Sequence, residues 1–305
     1  MKIAVFGCGY VGLTTAVGLA EIGNVVIAVD TNEQRIKLLT QGEVPFYEPG
    51  LKELLAHNLQ NERLCFSSDA ALAIQKSDVV LCAVGTPPAK NRHTDITAVL
   101  KVAQAFGKYA QSEKFFINKS TVPVGTNEEI RKTITASQIR AVPFHVLANP
   151  EFLREGAALK DFFQPDRIII GLEDGDIKAK KMAKTLYRPL TNNEIPLIFT
   201  APRNAEIIKY ASNAFLATKI SFSNELADFC EQAGANIKEV MRGVGLDTRI
   251  GPEFLEAGIG FGGSCLPKDI DAFLEIGKEH GCSFPLLSAV KKNNQQRVDH
   301  FIKLL

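Results

Sequence analysis

The sequence of 305 residues predicts an α/β fold: a doubly wound parallel sheet over residues 1–200, followed by an all-α domain over residues 201–305 built on one long helix. Three observations lead to this prediction. Short apolar runs alternate with amphipathic stretches up to residue 200, which is typical of a parallel sheet covered on both faces. A glycine-rich turn follows the first run. Residues 203–233 contain neither glycine nor proline.

Seven apolar runs are predicted as strands, because each is short, rich in β-branched or aromatic residues and bounded by turn signals. They are residues 3–6, 25–29, 79–84, 115–119, 145–148, 167–170 and 197–199. Amphipathic stretches such as 33–39 and 96–110 lie between most of these runs and are predicted as the covering helices.

The second domain is predicted to begin with a helix over residues 203–233, and shorter helices are predicted at 237–244, at 267–280 and from 286 onward. A helix of this length after an α/β domain is typical of a hinge, a dimer interface, or both. Apolar positions of the long helix recur at steps of three and four residues. They are Ile207, Tyr210, Ala211, Ala214, Phe215, Thr218 and Phe222.

Composition excludes several classes of protein. A net charge of +1 provides no field that would hold nucleic acid or an acidic membrane. The six cysteines form no CxxC pair and no cluster at zinc spacing, so no metal site is expected. No secretory leader and no apolar run of membrane-spanning length is found, which favours a cytoplasmic protein with reduced thiols.

Residues 7–12, GCGYVG, form a GxGxxG motif between the first strand and a predicted helix at 12–22, which is the context of a Rossmann-type dinucleotide site. The three glycines allow a tight turn, close approach to a pyrophosphate and packing of the helix on the strand. Asp30 ends the second strand, where a carboxylate would accept hydrogen bonds from the ribose hydroxyls. It would favour NAD over NADP, because the 2′-phosphate of NADP would meet a like charge. Arg35 could reach the same region. The alternative is a glycine turn with a capping aspartate.

Polar residues also follow the next two strands. Thr86 and Pro87 come after the run at 79–84, and Ser120 and Thr121 come after the run at 115–119. Ligands of open α/β sheets bind outside the carboxyl ends of the strands, so Thr86, Ser120 and Thr121 are expected on the cofactor side. A simple turn at the strand end is the alternative, and it is favoured for Ser120.

The segment 260–269, GFGGSCLPKD, is predicted to carry a nucleophile at Cys265. Pro267 suits the first turn of a helix, which would place the thiol at a helix N-terminus, and Lys268 adds a cation. Both features favour a thiolate, while Gly262 and Gly263 allow close approach by a substrate. The alternative, a packing cysteine in a turn, fits the other five cysteines better.

A thiolate and a nicotinamide cofactor together favour aldehyde oxidation: addition to the aldehyde, hydride loss to give a thioester, and release of an acid by water. Two further pairs could support this chemistry. Glu151 and Glu155 could orient water, or could belong to a solvated helix start. Lys209 and Asn213 lie one turn apart and could stabilise an oxyanion, or could be surface polar residues.

Together these segments resemble the UDP-glucose/GDP-mannose dehydrogenase family of nucleotide-sugar 6-dehydrogenases. Besides Asp30 and Arg35, the matching segments, in family order, are GCGYVG, VGTPP, STVPVGT, NPEFLREG, PDRIIIG, AEIIKYASNAFLATKISFSNE and RIGPEFLEAGIGFGGSCLPKD. The resemblance implies an NAD-dependent four-electron oxidation, UDP-glucose to UDP-glucuronate, through a cysteine-linked intermediate in a homodimer formed by the long helix.

The resemblance also implies roles for single residues. Cys265 would be the nucleophile, Lys209 and Asn213 would hold the oxygen at sugar C6, and Glu151 would assist thioester hydrolysis. Asp269 and Thr121 would position a water or accept its proton. Implied cofactor contacts are Gly7, Gly9, Tyr10, Val11, Gly12, Asp30, Arg35, Thr86, Pro87, Thr121, Glu155 and Lys268. Implied substrate contacts are Glu151, Phe152, Leu153, Arg154, Glu155, Lys209, Asn213, Arg249, Phe254, Leu255, Glu256, Ala257, Gly258 and Gly262, with Arg249 reaching across the dimer.

The segment RIGPEFLEAG favours UDP-glucose, with GDP-mannose and UDP-N-acetylmannosamine as alternatives. Two departures from the family are noted. Residues 89–93 replace a turn that usually contains Asp-Gly. The family's C-terminal UDP-binding domain has no counterpart in these residues. The second departure is expected either of a fragment of a longer protein or of a naturally shortened one. It leaves two expectations open: that the chain, or the full-length protein it represents, is an enzyme of nucleotide sugars, or that the chain is a truncated homologue that binds NAD with little or no turnover.

Overall fold

The structure, a computed structural model, describes residues 1–89, 93–191 and 194–304. Eight strands form one sheet in the order β3-β2-β1-β4-β5-β6-β7-β8. In chain order, β1 to β8 are Lys2–Phe6, Val25–Val29, Leu64–Ser67, Val79–Cys82, Lys114–Asn118, Phe144–Ala148, Ile168–Gly171 and Leu197–Thr200.

Helices cover both faces of this sheet and make up the part of the chain that follows it. In chain order, α1 to α12 are Tyr10–Glu21, Glu33–Thr40, Leu51–Gln60, Ala70–Lys76, Thr97–Tyr109, Thr126–Ser137, Ala158–Phe163, Ile177–Thr191, Pro202–Ala233, Ile237–Gly245, Leu266–Glu279 and Pro285–Leu304. Among these described helices, none combines the length and the apolar composition that a membrane crossing needs.

The predicted fold class is confirmed, with two corrections to the strands. The first six strands in space are parallel, but β7 pairs with β6 antiparallel, between Ala148 and Gly171. An apolar run marks a strand as buried and says nothing of its direction. The four-residue edge strand β3 was not predicted, because LCFS is short and only its first residue is buried.

The two faces of the sheet build two separate hydrophobic clusters. Along β1, Ile3 and Val5 pack in one cluster with helices α1, α3 and α8, and Ala4 and Phe6 pack in the other with α5 and α6. Successive side chains of a strand point to opposite faces, so one short apolar run supplies both layers. This double burial holds the carboxyl ends of β1, β4, β5 and β6 side by side at one edge.

Two compact units divide the described residues. The first comprises Met1–Pro87 and Asp95–Lys209, and contains the sheet and the first two turns of α9. The second comprises Pro88–Thr94 and Tyr210–Leu305, and contains a small core around Ala217, Ile270 and Leu287. The predicted local departure at residues 89–93 includes residues 90–92, which lie outside the described residues.

The long helix α9 confirms the predicted element but corrects its buried face. Tyr210 is buried as predicted, whereas Ile207, Phe215 and Phe222 are 41%, 66% and 53% exposed. Small and polar residues take much of the buried side instead, among them Ala217, Ser221, Ser223, Asn224 and Ala227. Apolar spacing therefore identified the helix, but not which of its faces this chain covers.

We expect Gly18→Ala to destabilise the chain by about 1–3 kcal/mol, because an added methyl group would overpack the core. A Cβ at Gly18 in α1 would lie 2.4 Å from ring atoms of Phe162. The matched control is Gly243→Ala in α10, where a Cβ meets nothing within 4 Å and alanine favours the helix. Urea unfolding measures the free energy of unfolding of both variants. Equal stability of the two variants would contradict the close packing of α1 against Phe162.

Candidate active site

The turn between β1 and α1 has the shape of an anion cradle. Gly7 adopts φ +95°, and a Cβ at Gly12 would lie 1.8 Å from the carbonyl oxygen of Gly7, so neither position tolerates a side chain. A Cβ at Gly9 would meet nothing within 4 Å. Gly9 is also the N-cap of α1 and offers no side chain to its N–H groups. The turn therefore leaves backbone donors and open space at a helix N-terminus, which fits a pyrophosphate.

Asp30 lies beside this turn. Its carboxylate accepts the N–H of Cys8 at 2.8 Å, the N–H of Asn32 at 2.9 Å and the Arg35 guanidinium at 3.0 Å. Burial disfavours the charge, but these three donors outweigh burial and lower the pKa of Asp30. Arg35, expected to reach the same region as Asp30, is thus paired with it. The site offers an anionic acceptor, which suits ribose hydroxyls and the cofactor NAD.

The ends of β4 and β5 are tied together. The Thr86 hydroxyl donates to the carbonyl of Thr121 at 2.8 Å, and the Ser120 hydroxyl donates to the carbonyl of Val84 at 2.7 Å. Ser120 thus closes a strand-end turn. Ser120 and Thr121 line a small pocket together with Lys209 and other residues.

A buried ion pair lies at this pocket. The Lys209 ammonium donates to Oε1 of Glu151 at 2.9 Å, and the two side chains are only 5% and 7% exposed. The other carboxylate oxygen of Glu151 accepts the N–H of Leu153 at 2.6 Å. The alternatives of a solvated helix start for Glu151 and of a surface position for Lys209 are therefore wrong. Residues 149–157 form a loop, and α7 begins at Ala158.

Two further buried charges near this pair were missed from the sequence. Lys119, at the end of β5, donates to Asn149 at 3.3 Å. Glu206, one turn before Lys209 on α9, accepts the N–H groups of Gly125 at 2.6 Å and Asn127 at 2.9 Å. Burial raises the pKa of Glu206 to about 7. A charged residue directly after a buried strand is the signal that could have identified Lys119.

A third buried charge, Glu48, joins the glycine turn to the loop after β6. The Tyr10 hydroxyl donates to Glu48 and accepts the N–H of Gly156 at 2.8 Å. Glu48 also accepts the N–H of Gly156 at 3.0 Å and that of Leu159 at 3.3 Å. Burial and this carboxylate raise the pKa of Tyr10, which keeps its hydroxyl protonated. Sequence analysis did not single out Glu48, whose partners are up to 111 residues away.

The other predicted contacts of the 149–156 loop have varied surroundings. Arg154 forms a two-pronged pair with Asp161 at 2.6 and 3.0 Å. The guanidinium of Arg167 stacks 3.9 Å from the ring centre of Phe152. Leu153 is half-buried and Glu155 is exposed.

In the second unit, Cys265 is exposed and is the N-cap of the 14-residue helix α11, with Pro267 in the first turn. Its Sγ lies 3.6 Å from the Ser264 hydroxyl. Cys65 and Cys282 are exposed as well, so exposure does not single out Cys265. Its place as the N-cap of α11 does, since Cys65 lies within β3 and Cys282 lies between α11 and α12.

Asp269, on the next turn of α11, is 2% exposed and accepts two donors. The Asn213 amide lies 2.6 Å from one carboxylate oxygen, and the Lys268 ammonium lies 2.6 Å from the other. Asn213 is buried, so the alternative of a surface residue is wrong for it too. The charge of Lys268 is engaged by Asp269.

The glycine-rich segment before Cys265 is anchored by side chains of the second unit. Asn224 accepts the N–H of Gly258 at 2.7 Å, and Arg297 donates to its carbonyl at 2.9 Å. Phe254 adopts φ +63°, a left-handed conformation that is strained for a non-glycine residue. Among the remaining predicted contacts, Leu255 is buried, Ala257 is half-buried, Glu256, Gly258 and Gly262 are exposed, and Arg249 is exposed and paired with Asp247.

Both parts of the chain match domains of one known protein family. The NAD binding domain of the UDP-glucose/GDP-mannose dehydrogenase family matches residues 1–191, and the central domain of the same family matches residues 203–296. The cofactor prediction of NAD is confirmed at the level of this domain.

Individual relatives agree. A UDP-glucose 6-dehydrogenase of Rhizobium meliloti is 46% identical over 97% of this chain and 68% of its own length. The UDP-glucose 6-dehydrogenase TuaD of Bacillus subtilis is 45% identical over 100% of this chain and 65% of its own length. The solved UDP-glucose dehydrogenase of the archaeon Pyrobaculum islandicum is 41% identical, with a TM-score of 0.92 over 96% of this chain and 68% of that one. The chain thus spans about two thirds of the length of these relatives.

We expect Gly9→Ala to weaken NAD binding at least about tenfold without lowering the melting temperature, because its methyl group fills the open cradle and not the core. Gly12→Ala is expected to lose both binding and stability, since its Cβ clashes with the Gly7 carbonyl. Calorimetric titration with NAD and thermal unfolding separate the two effects. Unchanged affinity of the Gly9 variant would contradict pyrophosphate binding at this turn.

Proposed function

The chain belongs to the UDP-glucose/GDP-mannose dehydrogenase family, and on that basis we propose that it oxidises the primary alcohol of a nucleotide sugar to a carboxylate with NAD. UDP-glucose is the favoured substrate, because the relatives with 46% and 45% identity are UDP-glucose 6-dehydrogenases. GDP-mannose and UDP-N-acetylmannosamine are the alternatives.

The observation that carries the proposal is the exposed Cys265 thiol at the N-terminus of α11, on a chain with an NAD-binding domain. Many dehydrogenases convert an alcohol only to an aldehyde or ketone and need no nucleophile. A cysteine that adds to the aldehyde allows a second oxidation at the same carbon, because the thiohemiacetal again carries a hydride that can leave.

NAD would be held by the glycine turn and Asp30 and would accept the two hydrides that the reaction releases. In the first oxidation the alcohol loses a proton and a hydride, while Lys209 and Asn213 stabilise its oxygen. The Cys265 sulfur then bonds to the aldehyde carbon, and the carbonyl electron pair moves to oxygen.

Loss of the second hydride restores the carbonyl as a thioester. Water attacks this carbon, its protons leave through a carboxylate, and the carbon–sulfur bond breaks to release the Cys265 thiolate. Asp269, Thr121 and Glu151 are the proposed residues for orienting this water and accepting its proton. In total, one alcohol, two NAD⁺ and one water become one carboxylate, two NADH and three protons.

We expect Cys265→Ala to lower NADH formation from UDP-glucose at least about a thousandfold, because the nucleophile is lost. Cys265→Ser is expected to stall at the aldehyde level, with at most one NADH for each sugar. Cys282→Ala, which alters another exposed thiol, is the matched control and keeps two NADH for each sugar. NADH absorbance measures the reaction of the parent and of the three variants.

If the unmodified chain binds NAD tightly but forms no NADH with any of the three nucleotide sugars, the enzymatic proposal is wrong. The NAD-binding homologue without turnover is then the better description. Full activity of the Cys265→Ala variant would instead contradict the cysteine mechanism alone.

We further propose that the chain forms a homodimer through α9. Phe215, Phe222 and Phe229 are 66%, 53% and 65% exposed and follow one another at seven-residue steps, so they lie along one side of the helix. Three exposed phenylalanines in one stripe are costly in water and are typical of an interface. Arg249 is the proposed residue that reaches the partner's substrate.

We expect Phe222→Asp to convert a dimer into a monomer, because a carboxylate would be buried without a partner at the interface. Ile177→Asp makes the same chemical change at a residue of α8 that is 78% exposed, and it should leave the dimer intact. Light scattering after size exclusion measures the mass. A monomeric parent chain would contradict the dimer proposal and would leave the cofactor site unaffected.

A further inference from the structure

A second buried ammonium group, for which the chemistry above has no use, belongs to Lys119, whose chain neighbours Asn118 and Ser120 line the pocket together with Lys209. Lys119 follows β5 directly and is 8% exposed. Its one described side-chain hydrogen bond is weak, a 3.3 Å contact from Nζ to Oδ1 of Asn149. A buried ammonium prefers a carboxylate or several strong acceptors, so this position costs stability.

Asn149 is held independently of Lys119. Its Oδ1 accepts the Tyr187 hydroxyl at 2.5 Å, and its Nδ2 donates to the carbonyl of Ile169 at 2.9 Å. Lys119 is therefore not needed to satisfy this amide. The contrast is Lys114 at the other end of β5, whose ammonium donates to the carbonyl of Ser77 and, at 3.4 Å, to that of Gln75. Lys114 satisfies backbone groups and Lys119 does not.

The electrostatic effect of Lys119 falls on the proposed catalytic pair. Glu151 and Lys209 both act on the Lys119 ammonium, the first with an attractive and the second with a repulsive charge. Two ammonium groups and one carboxylate leave the cluster with a net charge of +1. Without Lys119, the ion pair between Glu151 and Lys209 would be neutral.

We propose that Lys119 is a positioning residue that acts through Glu151 and Lys209, giving this buried cluster the positive charge that favours an anionic oxygen on the substrate. The proposal rests on the proposed function, since it concerns the oxygen that Lys209 stabilises. The Lys119 ammonium attracts the Glu151 carboxylate without forming an ion pair with it, and so offsets part of the charge with which Glu151 neutralises Lys209. In a buried site such a charge acts more strongly than in water.

Other ionisable groups around the cluster cancel this charge only in part. Tyr187 stays protonated, because burial raises the pKa of its hydroxyl. Arg167, stacked on Phe152, is a further cation. Glu206 lines the pocket with Lys209, but its carboxylate accepts two backbone N–H groups, and burial raises its pKa to about 7.

The protonation of Lys119 determines whether the stability of the protein rises or falls with pH. Burial lowers the pKa of Lys119 to about 8, with Glu151 opposing and Lys209 assisting. Below this pH the folded protein holds the buried charge. Between about pH 8 and the ordinary lysine value of about 10.4 the unfolded chain binds the extra proton, so this group makes stability rise with pH.

The first experiment compares Lys119→Met with Lys114→Met by thermal unfolding from pH 7 to 10. At pH 7 we expect Lys119→Met to melt at least as high as the parent and Lys114→Met to melt lower. The advantage of Lys119→Met should shrink as the pH rises above 8. A loss of stability in Lys119→Met equal to that in Lys114→Met would overturn the proposal, because Lys119 would then be a structural lysine.

The second experiment measures NADH formation from UDP-glucose. We expect kcat of Lys119→Met to fall at least about tenfold at pH 7, with the KM for NAD unchanged, and Lys114→Met to keep the parental value wherever it remains folded. The parent should lose activity above pH 8 as Lys119 loses its proton, and Lys119→Met should lack this decline. An unchanged kcat in Lys119→Met would overturn the proposal, whereas a parent without turnover would overturn the proposed function and leave the decision to the unfolding experiment.

Discussion

The buried ion pair between Glu151 and Lys209 is the interaction on which the candidate site depends. It joins the loop after β6 to the start of α9, and both side chains are almost fully removed from water. Removing one partner of a buried pair leaves an uncompensated charge, which typically costs 3–5 kcal/mol. An apolar pair of similar volume would often be no less stable, so stability alone does not explain the pair.

Two further buried charges lie at the same carboxyl edge of the sheet. Lys119 follows β5, Glu151 follows β6, and Glu206 approaches from α9 to accept N–H groups at the start of α6. Parallel strands bring their carboxyl ends together, and the loops there supply backbone donors that can hold carboxylates without water. The architecture of the sheet thus allows several charges to be buried in one small region.

Much of the fold could be predicted because its signals are local. The apolar runs of β1, β2, β4 and β5, the glycines at 7, 9 and 12 and the long helix α9 each identify themselves within a short window of sequence. The antiparallel direction of β7 and the exposed positions of Phe215 and Phe222 could not be read in this way. Both depend on which neighbours the rest of the chain provides.

By itself, the sequence determined the class of the fold, the NAD-binding turn with Asp30, and the family to which the segments belong. The identities of Cys265, Lys209 and Glu151 as candidates also came from it. Only the tertiary structure decided that Lys209 is paired with Glu151, that Asp269 accepts Asn213 and Lys268, and that Lys119 is a buried charge. Burial and partners are long-range properties, since residues far apart in the chain remove the water and supply the opposite charge, and no local pattern contains that information.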